Sequence, residues 1–136
     1  GYVLRLETIE PVLQYVDLVL LDVKSSDEEL YTRITSRPLQ PTLDFARYLS
    51  ERGKKMWVRF VLVPGLTDGE GNIEGVARFV AMLSSVERLE VLPFHKMGEY
   101  KWEALGYEYT LGDTRTPSPE EVAAAEEIFR GMGVPL

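Results

Sequence analysis

Apolar residues recur at two different periods along the chain, and the alternation between them outlines the fold. In residues 3–16, Leu4, Ile9, Val12, Leu13 and Val16 stand at roughly helical spacing, and Pro11 makes that helix short or kinked. A near-continuous apolar run, Leu18 to Leu21 with Val23, predicts a buried strand over 18–24. Ser26 followed by Glu29 is a capping-box pattern and predicts a short helix over 27–35. The segment 37–41 (RPLQP) is a break; Pro41 opens a helix near 42–52, and Gly53 stands where it stops. MWVRFVLV, 56–63, is a second strand, closed by Pro64 and Gly65. Thr67, Asp68, Gly69 and Gly71 form a loop into a helix over 72–84, with Ile73, Val76, Val80 and Leu83 on one face. RLEVLPFH, 88–95, is a third strand, and 96–117 shows little periodicity and many aromatics, as a long ordered loop would. Ser118, Pro119 and Glu121 combine an N-cap, a first-turn proline and a capping-box acid, so a helix runs over 119–131.

The order is α-β-α-α-β-α-β-loop-α. Val- and Leu-rich strands alternating with helices predict an α/β fold with a parallel sheet and right-handed crossovers. In such sheets ligands gather at the carboxyl ends of the strands. A length of 136 residues suits one domain, 1–136, with enough apolar content for a core. The net charge of −7 argues against a nucleic-acid partner. No apolar run is long enough to span a bilayer and no signal-peptide pattern is present, so a cytoplasmic protein is the default expectation. With no cysteine, the chain has neither a disulfide framework nor a thiolate metal site. It begins at Gly1 without a methionine, as a fragment or processed product would.

Polar residues at the strand ends give this scaffold its chemistry. Side chains alternate along a strand, so Leu20, Asp22 and Lys24 share one face, as do Arg59, Val61 and Val63 on the second strand. His95, the only histidine, closes the third. On neighbouring parallel strands, Lys24, Arg59 and His95 converge near one rim with Asp22 among them, which suits an anionic ligand such as a carboxylate or phosphate. A plainer reading stands beside it. Asp22 can be a structural ion-pair partner of Lys24 or Arg59, and His95 an ordinary loop residue. Arg59 needs a partner in either case, because an unpaired charge within an apolar strand is costly. No dinucleotide fingerprint, P-loop or nucleophile elbow is present.

Three stretches, DLVLLDVKSSDEELYTRIT, TLDFARYLSERGKKMWVRFVLVPGLTD and VERLEVLPFHKMGEYKWEALGYEYTL, run nearly end to end and carry a resemblance. They are similar to the C-terminal half of the pyruvate formate-lyase activating enzymes, glycyl-radical-enzyme activases of the radical S-adenosylmethionine (SAM) family. The resemblance implies a partial (β/α) radical SAM barrel, of which this chain holds three strands and their helices. It places Asp22, Val23 and Lys24 along the methionine end of SAM, with Lys24 near its carboxylate and Asp22 beside a monovalent cation. Arg59 matches a polar contact to SAM, Val61 a backbone contact near the adenine, and His95 a SAM-binding position on the last strand. An intact relative cleaves SAM reductively with a 4Fe–4S cluster and generates a glycyl radical on pyruvate formate-lyase or a related enzyme, with electrons from a flavodoxin-type reductant.

The family's C-x3-C-x2-C cluster motif is absent, and without thiolates the chain cannot bind a 4Fe–4S cluster in the family's manner. Two functions therefore compete: a fragment of an oxidoreductase activase, inactive alone, or a non-redox α/β module that binds a small anion at the same rim. In the fragment reading, strand 18–24 is an open edge, and the chain is expected to self-associate. The segment 95–111, with Trp102, Tyr100, Tyr107 and Tyr109, either packs on its own aromatics or contacts the partner lyase.

Overall fold

A computed structural model describes residues 10–94 and 115–136. Strands β1 (Val19–Asp22), β2 (Met56–Leu62) and β3 (Val86–Pro93) form one sheet in the order β1-β2-β3, with both pairings parallel. Around it lie α1 (Glu10–Leu13), α2 (Glu28–Thr35), α3 (Gln40–Glu51), α4 (Glu70–Ala81) and α5 (Pro119–Gly131). The predicted α/β order and parallel pairing are therefore present. The stretch 3–9 of the first predicted helix, His95 and the segment 96–114 fall outside the described residues.

Local chemistry explains where the elements begin and end. α5 starts and stops where Ser118, Pro119 and Glu121 predict: the Ser118 hydroxyl accepts from Glu121 N–H, and the Glu121 carboxylate accepts from Ser118 N–H. α3 ends in a turn at Gly53, whose φ of +66° suits glycine. α2 differs from expectation. Its N-cap is Asp27, whose carboxylate accepts from Leu30 N–H at 2.8 Å, while Ser26 is turned to another helix. α4 opens two residues before the predicted start, with Gly69 at the N-cap. β3 begins at Val86 rather than at 88, because Val86 pairs with Met56 before the register shifts and Arg88 takes up Trp57.

The two faces of the sheet differ sharply. Leu21, Val23, Met56, Val58, Phe60, Leu62 and Leu89 point to one face and form a single core with α3, α4 and α5, through Phe45, Leu49, Ile73, Val76, Val80, Ala125 and Phe129. Phe60 and Phe129 meet edge-on, with ring centroids 5.5 Å apart and planes at 66°, both fully buried. Truncating either to alanine would cost roughly 3–5 kcal/mol. The opposite face carries Leu20, Asp22, Trp57, Arg59, Arg88 and Glu90, none of them buried. At its carboxyl end, Val61, Val63 and Phe94 form a smaller cluster with Ile34 of α2. The helical layer thus fixes the strands from behind and leaves the polar face in front.

Candidate functional site

Parallel register places Asp22 beside Arg59, and Arg59 beside Glu90, in one row across the three strands. Arg59 Nε donates to Asp22 Oδ1 at 2.7 Å. Glu90 is engaged along its own strand by Arg88, 3.4 Å away. The partner that Arg59 requires is therefore Asp22. The pair is neither dry nor open: its side chains are 34% and 19% exposed, so the charges are partly desolvated and still reachable from solvent.

Lys24 lies two residues beyond Asp22 on the same face. Its ammonium pKa is lowered, first by burial, with the negative charge of Asp22 acting in the opposite sense. A cation held where burial disfavours its charge gains from an additional anion, so the rim suits a ligand bearing a carboxylate. Val23 has its side chain in the core, and only its backbone reaches the rim; its N–H donates to Arg59 O at 3.0 Å. Val61 is also buried, and its carbonyl accepts from the Thr67 hydroxyl at 2.7 Å. Asp22 thus meets Arg59 directly and acts on Lys24 through its charge, while Val61 lies two residues beyond Arg59 on β2. Val23 faces away, and His95 lies outside the described residues.

A second set of polar residues, absent from the sequence-based site, holds these strand ends in place. Asn72, in the first turn of α4, accepts through Oδ1 from Ser25 Oγ at 2.8 Å and from Ser26 N–H at 3.0 Å. Its Nδ2 donates to Thr67 O at 3.1 Å, and its own carbonyl accepts from Ser26 Oγ at 3.1 Å. The Thr67 hydroxyl, fully buried, donates to Val61 O and accepts from Val63 N–H at 2.8 Å, so it replaces ladder bonds where β2 ends. These ties join residues 46 and 47 positions apart, which no local pattern reveals. The nearest sequence signal is a polar residue at the start of an amphipathic helix, with two serines following a strand.

An open cavity of about 700 Å³ lies between α2, α3 and α4, and none of Asp22, Lys24, Arg59 or Val61 borders it. Its lining mixes Arg33 and Arg78 with Asp27 and Glu29, so it carries no single charge to select a ligand. Among the described residues, no cluster of three or more His, Cys, Asp or Glu is placed to hold a metal ion. Lys24 offers a cation that a carboxylate could face, whereas the Asp22 carboxylate is already engaged by Arg59. The donor set does not fit an iron–sulfur cluster, because the chain has no cysteine.

No family model matches the chain. Among curated proteins, the pyruvate formate-lyase-activating enzyme of Streptococcus mutans is 41% identical over 124 residues, covering 91% of this chain and 47% of that protein. The enzyme of the same name from Staphylococcus aureus is 40% identical over 124 residues, covering 91% and 49%. The chain therefore spans about half the length of the curated relatives it matches. Among solved structures, a domain of pyruvate-formate lyase-activating enzyme from Bacteroides vulgatus superposes with a TM-score of 0.80 at 26% identity, covering 96% of this chain and 72% of that one. A radical SAM methyltransferase from Sphaerobacter thermophilus shares the fold, with a TM-score of 0.65 at 18% identity over 92% of this chain and 36% of that one. Over nine tenths of its length, the chain is a homologue of the pyruvate formate-lyase-activating enzymes.

Proposed function

We propose that this chain is the C-terminal half of a radical SAM activase and supplies the part of the site that grips the methionine end of SAM. The observation that carries the reading is the 41% identity over 124 residues to a named activating enzyme. The partly desolvated rim of Asp22, Lys24 and Arg59 supports it. In this reading Lys24 faces the SAM carboxylate. Arg59 and the backbone at Val23 and Val61 line the rest, and Asp22 orients Arg59 and stands beside a monovalent cation. His95, which follows β3 in the sequence, completes the set. The protein acted on is pyruvate formate-lyase or a related glycyl radical enzyme, and a flavodoxin-type protein supplies electrons to the intact enzyme, in the cytoplasm. Bound in that enzyme, a 4Fe–4S cluster supplies the reductive cleavage of SAM; its thiolates come from outside this chain, which is inactive alone. The homology favours this reading over a non-redox anion-binding module.

Titration of SAM tests it. The chain alone presents half a site and binds SAM at about millimolar strength, roughly −4 kcal/mol. In the full-length enzyme, Lys24→Ala removes a charge-assisted contact and weakens SAM binding roughly tenfold to a hundredfold, while iron content is unchanged. Unchanged affinity in that variant would return Asp22, Lys24 and Arg59 to a purely structural role.

A further inference from the structure

We propose that Asn72 is a positioning residue that sets the placement of Lys24 against the end of β2. The inference rests on the reading of Lys24 as a contact to the SAM carboxylate. Lys24 is the residue between two fixed points. Immediately before it, Val23 N–H donates to Arg59 O at 3.0 Å, tying the end of β1 to β2. Immediately after it, Ser25 Oγ donates to Asn72 Oδ1 at 2.8 Å, and Ser26 N–H donates to the same oxygen at 3.0 Å. One amide oxygen thus stops the chain from swinging as it leaves the strand.

The other end of the Asn72 amide reaches the neighbouring strand end. Nδ2 donates to Thr67 O at 3.1 Å, and the Thr67 hydroxyl binds both Val61 O and Val63 N–H. The residues flanking Lys24 and Val61 are therefore held in one frame by a single asparagine. The close fit at this point needs glycine: a Cβ at Gly75 would strike Ser26 Oγ and lie 2.8 Å from Ser26 Cβ. A methyl group there must push the loop after Lys24 away from α4.

The test uses the full-length enzyme that carries this chain, with SAM affinity read by titration calorimetry and folding read by melting temperature and amide exchange. Asn72→Ala is expected to speed exchange at the Ser26 amide and to weaken SAM binding roughly three- to tenfold. In a Lys24→Ala background the same change is expected to cause no further loss, because Asn72 acts through Lys24. Asn72→Asp keeps the acceptor for Ser25 and Ser26 and should retain more affinity than Asn72→Ala. Should Asn72→Ala fail to fold, Gly75→Ala disturbs the same loop from the other side and should weaken SAM binding likewise. Folded Asn72→Ala or Gly75→Ala enzyme with unchanged SAM affinity would overturn the proposal, as would additive losses from Lys24→Ala and Asn72→Ala. If Lys24→Ala itself leaves affinity intact, the underlying reading of Lys24 fails and the proposal fails with it.

Discussion

The Nε of Arg59 and the Oδ1 of Asp22 meet at 2.7 Å because parallel register sets the two residues side by side on adjacent strands. The contact joins residues 37 positions apart and closes β1 onto β2 at the polar face. Exposed ion pairs contribute about 0–1 kcal/mol, and breaking a fully buried one costs roughly 3–5 kcal/mol. This pair, partly exposed on both sides, is expected to show a coupling of about 1–2 kcal/mol in a double-mutant cycle of Asp22→Asn and Arg59→Gln. Urea unfolding measures it. A coupling near zero would mean that the two charges are held in place by the strands alone.

Lys24 gives the protein an alkaline signature. Burial lowers its folded pKa below the ordinary lysine value, against the smaller opposing effect of Asp22. Between the lowered value and the unfolded value of about 10.4, the unfolded chain holds a proton that the folded chain has released. The unfolded state then binds more protons, so stability rises with pH through that window. Lys24→Met lacks this gain. Melting temperatures of the two proteins, compared from neutral pH up to the ordinary lysine range, should shift in favour of the unsubstituted protein. Parallel curves would contradict the assignment.

The start of α5 depends on its cap. Ser118→Ala removes the acceptor for Glu121 N–H and should destabilise the fold by about 1 kcal/mol in urea. Glu121 also answers to acid. Its carboxyl is held below the usual range, first by hydrogen bonding from Arg115 and then by Ser118 N–H. The stabilisation is present above the ordinary carboxylate pKa and is lost as pH falls through the lowered folded value. Melting curves of Glu121→Gln and the unsubstituted protein should therefore converge in acid; a gap that persists there would count against the pairing.

Among the described residues, β1 has a neighbour on one side only, and Leu20 on it is 52% exposed. An unpaired parallel edge beside an exposed apolar side chain invites a second strand. The chain on its own is expected to self-associate in sedimentation at micromolar concentrations, and Leu20→Lys, which places a charge on that edge, should shift it to monomer. A monomeric unsubstituted chain would show that the edge is protected.

Where the determinants are local, the sequence is a close guide to the fold. Ser118, Pro119 and Glu121 carry the start of α5 within four residues, and α5 runs over the predicted residues. Period-2 alternation separates Asp22 and Lys24 from Leu21 and Val23, and the two faces follow it. Where two segments must meet, the reading falls short. Ser26 and Glu29 look like a capping box, yet Asp27 caps α2 because Ser26 is taken by Asn72. The early start of β3 reflects a register shift at Met56 and Trp57, a property of two strands together. Alternation places Asp22 near both Lys24 and Arg59, and packing gives its close hydrogen bond to Arg59.

The central position of β2 has a consequence for how the protein opens. Among the described residues, β1 and β3 touch β2 and not each other, so the seven residues Met56–Leu62 are the only route between the two edges of the sheet. Both pairings are distant in sequence, so β2 must be captured across a long loop whichever neighbour arrives first. Once formed, the sheet can shed β1 as a separate unit, because β2 keeps its partner in β3 and its packing on Phe129. The element that carries Asp22 and leads into Lys24 is the shorter seam, with four paired residues against seven on the other side of β2, and a ligand gripping both strand ends would close that seam as well as occupy the rim.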